Sequence, residues 1–240
     1  IYIGMLIWPM IAFGWVINIF QRGAASMGRI AKILDTEPEI RDTSTTDSTI
    51  REIQGKIEFR SVTFHHKNSA QPTLKNINLT IDRGMTVAVV GYTGCGKSTL
   101  VNLIPRLYEA ADGNVLIDDV DIRRIPIEIL RSSIGYVPQE TFLFSDTISE
   151  NITFGMDDHR GSIGEVSLTS SPFTEERREE LRQEQTSEAA QISQISVDIE
   201  DFPKKYDTMV GERGITLSGG QKQRTSIARA VMRNPRILIL

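Results

Sequence analysis

The stretch TVAVVGYTGCGKST, residues 86–99, constrains this chain more than any other. Thr86 to Val90 is an apolar run bounded by turn formers, the pattern of a strand covered on both faces of a sheet. Gly91 to Thr99 matches G-x-x-x-x-G-K-[ST], and Leu100, Leu103, Ile104 and Leu107 follow at helical spacing. Strand, glycine-rich turn and helix together predict the opening of an α/β domain. The residue types follow from anion chemistry. Gly91, Gly94 and Gly96 let the backbone curl around phosphate with its N–H groups inward. A helix starting at Lys97 turns its positive end to the same anion, and the Lys97 ammonium neutralises β- and γ-phosphates. The Ser98 hydroxyl is placed to ligate Mg²⁺, and Thr93, Cys95 and Thr99 complete the candidate phosphate-binding set. A glycine-rich turn with a chance lysine is the bland alternative; the order strand, loop, helix weighs against it. The motif predicts a P-loop and a nucleoside triphosphate site. Cys95 lies beside a lysine at a helix start, where a thiolate is favoured. An inert small residue at a variable motif position is the simpler reading of it.

Composition narrows the partners. The net charge of -4 argues against nucleic acid, which is gripped by basic surfaces. With Cys95 the sole cysteine, no disulfide forms within the chain, which suits a reducing compartment. Residues 1–21 carry no charge and just reach the length a bilayer core requires of a helix. Arg22, Arg29 and Lys32 follow, so the C-terminal flank is expected on the cytoplasmic side. A buried soluble helix is the competing reading; a secretory signal lacks its basic n-region here. Helical spacing continues to Leu34 and should stop before Pro38. The polar run DTSTTDS, residues 42–48, reads as a linker. The expected organisation is therefore the end of a last transmembrane helix and its extension over 1–35, a linker over 36–54, and a domain over 55–240. Asn76 to Ile81 alternates as a half-buried strand. Residues 156–187 look like an insertion, with a short solvated helix at 175–185 between disordered ends.

Downstream stands LSGGQ, Leu217 to Gln221, followed by KQRTSIARAVM with apolar residues at helical period. A serine and two glycines at a helix start offer a hydroxyl, close backbone N–H groups and a dipole, a second anion cradle. A helix cap with a flexible turn is the plain alternative. Here the chain resembles the nucleotide-binding domains of ABC transporters, whose signature motif has this sequence. The order of parts agrees from the P-loop through YVPQE, with Gln139 at the Q-loop position, and VGERG to LSGGQ. The apolar N-terminal helix, DTISENITFG and GERG are similar to bacterial multidrug and lipid exporters.

That resemblance implies ATP and Mg²⁺ as cofactors, with Lys97 and Gln139 as catalytic residues and Ser98 and Gln139 as metal ligands. It implies that Ser218, Gly219, Gly220 and Gln221 contact nucleotide held by another chain. The partner is then a second half-transporter, in a homodimer or heterodimer, and Glu212 of GERG is a coupling residue. His66 falls where such exporters place an aromatic residue, before the first strands, to stack on adenine. Ile237 to Leu240 corresponds to the Walker B strand, so the chain is expected to be a fragment, incomplete before the magnesium-binding Asp. The parent is expected to be an integral membrane ATPase of the bacterial plasma membrane, its nucleotide domain cytoplasmic. It would export a small molecule, lipid or peptide. A non-hydrolysing subunit of a heterodimeric exporter is the first alternative, and a soluble ABC ATPase a weaker one.

Overall fold

The computed structural model describes residues 2–67, 69, 71–156, 175–211 and 215–240. The chain divides into two units, Ile1–Arg41 and Asp42–Leu240. The first is dominated by α1, Tyr2–Leu34, a 33-residue helix with Pro9 inside it and no buried residue. At 1.5 Å per residue it is about 50 Å long. By length and composition it is the one helix among the described residues able to cross a membrane.

The second unit is mixed α/β. β1 (Ile57–Phe64) runs antiparallel to β2 (Leu74–Ile81) on one side and to β3 (Asp112–Ile117) on the other. With β4 (Val120–Asp121) the order is β2-β1-β3-β4. Within β1 the buried residues are Ile57 and Phe59, then Val62 and Phe64, so the period of two is broken once. The break is a bulge at Ser61, whose φ of 51° re-phases the strand and returns Val62 and Phe64 to the core face. The Ser61 N–H, freed from the ladder, donates to Asn78 Oδ1 at 2.9 Å. Opposite the bulge only glycine fits: a Cβ on Gly113 would lie 2.5 Å from the carbonyl oxygens of Arg60 and Ser61.

A second, parallel ladder pairs β5 (Ile134–Tyr136) with β6 (Ile237–Ile239). α7 (Gly219–Met232) reaches this ladder at its C-terminal end, where a Cβ on Gly135 would meet the Ala230 carbonyl at 2.9 Å. Ile237 and Ile239 are buried while Leu238 and Leu240 are exposed, so the ILIL run alternates. These strands, α2 (Lys97–Leu103) and α3 (Ile127–Ser132) enclose one apolar core containing Phe59, Leu103, Ile117 and Leu130. A separate core lies among α4 (Ile148–Thr153), α5 (Glu175–Ile192), α6 (Ser196–Glu200) and α7, with Ile148, Ile152, Ile195 and Ile199 at its centre.

Several expectations change. Thr86–Val90 joins neither ladder and forms no strand; Val90 is 91% exposed. An apolar run becomes a covered strand only with hydrogen-bonding neighbours beside it, and none of the described strands lies there. Leu107 is exposed because α2 stops at Leu103. Residues 42–54 pack with the second unit: Asp42 Oδ1 caps the Ile127 N–H at 3.0 Å, the Asp47 N–H donates to the Arg124 carbonyl at 2.7 Å, and Ile53 is buried. The insertion helix does not end at Gln185 in a disordered segment. It continues as α5 to Ile192 because Ala189 and Ala190 bury against the helical core. The expectations for 157–174 and for Glu212 lie outside the described residues.

Candidate functional site

The glycine loop is fixed at both ends. Gly96 has φ of +94° at the start of α2, and a Cβ there would lie 3.0 Å from Leu74 Cδ2 and 3.1 Å from the Thr73 carbonyl. Glycine thus allows both the left-handed turn and close seating of the loop on the first residue of β2. A Cβ on Gly91 would collide with Cys95 Sγ at 2.6 Å. The Lys97 ammonium folds back over the loop, donating to the Gly91 carbonyl at 2.8 Å and the Tyr92 carbonyl at 2.9 Å; Cys95 Sγ lies 3.8 Å away. Thr93, Gly94 and Ser98 are exposed. Thr99 is buried instead, its hydroxyl 3.5 Å from His66 Nε2.

His66 sits in the turn after β1, not before the first strands. Its ring lies edge-on to Phe64 at 4.9 Å and to Tyr108 at 5.6 Å, a three-ring cluster beside the first turn of α2. Gln139 is exposed just past the carboxyl end of β5, where the Val137 N–H extends the parallel ladder to the Ile239 carbonyl. The Tyr136 hydroxyl donates to Asn102 Oδ1 at 2.8 Å, tying that strand to the P-loop helix. Carboxyl ends of parallel strands are where open α/β sheets present their sites.

The Ser218–Gln221 turn lies on the helical core. Ser218 caps α7: its Oγ accepts the Gln221 N–H at 3.3 Å and its own N–H donates to Gln221 Oε1 at 2.9 Å, a reciprocal capping box. Gly219 has nothing within 4 Å of a built Cβ, so the turn faces open space. Gln221 Nε2 donates to Asp198 Oδ1 at 2.9 Å and Arg224 Nη2 to Asp198 Oδ2 at 2.6 Å. The hydrogen bond from Gln221, then that from Arg224, hold the Asp198 carboxyl below its usual range against the opposing effect of desolvation. Nothing in the spacing of the motifs marks Asp198; the pairing exists only because the fold brings it beside the first turns of α7. Among the described residues, no hydrogen bond, ion pair or ring contact joins residues 91–99 to 218–221. Nor does any group of three His, Cys, Asp or Glu among them suit a metal.

Known proteins share this layout. A family profile described as ABC transporter matches residues 74–240. The chain is 38% identical over 240 residues to the probable multidrug resistance ABC transporter ATP-binding/permease protein YheI of Bacillus subtilis, covering 100% of this chain and 37% of that protein. It is 35% identical over 239 residues to the multidrug resistance-like ATP-binding protein MdlA of Escherichia coli, covering 100% of this chain and 36% of the relative. A solved bacterial Atm1-family ABC exporter with ATP bound superposes with a TM-score of 0.75 at 33% identity, over 94% of this chain and 35% of that one. The chain thus spans about a third of the length of these relatives. By the matched profile and by relatives that cover its whole length, the chain belongs to the ABC transporter family.

Proposed function

We propose that this chain is the ATP-binding and hydrolysing part of an ABC exporter, joined to the end of a membrane helix over residues 1–35. The observation that carries this reading is the Lys97 ammonium folded over its own loop by two carbonyls. Phosphate oxygens offer the same ammonium stronger, charge-assisted acceptors, so ATP displaces the carbonyls and the loop N–H groups take the β-phosphate. Mg²⁺, held by Ser98 and Gln139, would supply positive charge to the phosphates. Ser98 and Gln139 are exposed oxygen donors, and they fit a metal that keeps several waters and takes one or two protein ligands. The His66 ring is offered to the adenine.

The open Ser218–Gly220 turn, on a core separate from the P-loop, supports a site completed by a second half-transporter whose ATP it touches. Two chains then enclose two ATP molecules. Closure and opening of that pair move the membrane parts, in the bacterial plasma membrane, with the nucleotide domain in the cytoplasm. Relatives named for multidrug resistance favour a small-molecule substrate. The test is the full-length protein in liposomes. Mg²⁺-dependent ATP hydrolysis with uptake of a lipophilic cationic dye is expected. Recovery of the protein in the soluble fraction, or hydrolysis untouched by Lys97→Ala, would overturn the reading.

A further inference from the structure

We propose that Asp198 is a positioning residue for the Ser218–Gln221 turn, holding the Gln221 side-chain amide in the one orientation that closes the cap of α7. The inference rests on the reading of that turn as the second phosphate cradle.

A glutamine amide has an accepting end and a donating end, and only one orientation serves the cap. With Oε1 toward Ser218 the amide accepts the Ser218 N–H at 2.9 Å; reversed, it would set an NH₂ group against that N–H. Asp198 decides between them. Its carboxylate is acceptor-only, and it takes Nε2 at 2.9 Å, which leaves Oε1 for the cap. The Ser218 hydroxyl, held as acceptor of the Gln221 N–H, then keeps its own hydrogen for an outward donor bond to phosphate.

Charge and rigidity agree with this role. A bare carboxylate near a helix start that is to receive phosphate would repel the ligand. Arg224 offsets it by donating to the other Asp198 oxygen at 2.6 Å. α6 cannot drift, because Ile195 and Ile199 on either side of Asp198 are fully buried. Asp198 thus carries the position of the helical core to the cradle through one amide.

The test uses the full-length transporter, with ATP affinity at the P-loop as the check that each variant is folded. Asp198→Ala should lower kcat about tenfold, the worth of one charge-assisted hydrogen bond, and leave the Kd for ATP unchanged. Gln221→Glu, which sets a carboxylate against Asp198, should fall similarly. Adding Asp198→Asn to Gln221→Glu restores a donor–acceptor pair with the roles exchanged, and most of the lost kcat should return. A double variant as slow as Gln221→Glu alone, or Asp198→Ala at the wild-type kcat, would overturn the inference while ATP binding stands. A wild-type protein that does not bind ATP would overturn both this inference and the reading beneath it.

Discussion

At the scale of single residues, the loop geometry sets sharp expectations. Lys97→Ala removes the only side-chain cation placed over the glycine loop among the described residues. It should cut ATP hydrolysis by about a hundredfold or more, measured as steady-state phosphate release. Gly96→Ala combines a φ of +94° with a Cβ 3.0 Å from Leu74 Cδ2 and 3.1 Å from the Thr73 carbonyl. The expected cost is about 1–3 kcal/mol in urea unfolding. The lowered pKa of Asp198 gives a signed pH effect. Its stabilisation is present above the ordinary carboxylate pKa of about 4 and is lost as pH falls through the lower folded value. Asp198→Asn should therefore lower the Tm relative to wild type at neutral pH, and the gap should close as pH drops below about 4. A gap that widens in acid would contradict this. The glycine and lysine spacing was legible because one loop contains all its parts. Asp198 was not, since its partners lie far along the chain and meet it only through packing.

At the scale of elements, α4 and α7 are locked by a polar core that the periodicity of neither reveals. Arg229 on α7 donates through Nε to the Asn151 carbonyl at 2.8 Å, through Nη2 to Asn151 Oδ1 at 2.9 Å and through Nη1 to the Phe142 carbonyl at 3.1 Å. Its guanidinium also lies over Phe144 and Phe154, 5.7 Å and 5.5 Å from the ring centroids, and desolvation lowers its pKa. The buried Asn151 accepts the Phe144 N–H at 2.9 Å and donates to the Phe144 carbonyl at 3.0 Å, pinning the preceding loop. Asn151→Ala leaves several of these groups unpaired and should cost about 3 kcal/mol, read from denaturant midpoints at constant m. Elements with internal signals were readable: α1 from its charge-free run and β2 from its alternation. Those set by neighbours were not. Thr86–Val90 has the composition of a core strand and lacks flanking strands; residues 42–48 have the composition of a linker and are docked through Asp42 and Asp47.

At the scale of the whole molecule, the glycine loop and the Ser218 turn stand on different cores. The P-loop leans on the sheet core through Leu74 and Leu103, and the Ser218 turn on the helical core through Leu217 and Ile199. A site built from both would be sensitive to how those cores meet a partner. In the proposed arrangement each ATP is held by the P-loop of one chain and the Ser218 turn of another. The most direct test compares purified full-length wild type, Lys97→Ala and Ser218→Arg for ATP affinity and hydrolysis. Lys97→Ala should lose both; Ser218→Arg should keep ATP affinity at its own P-loop and lose hydrolysis. Hydrolysis by Ser218→Arg at the wild-type rate would contradict the account.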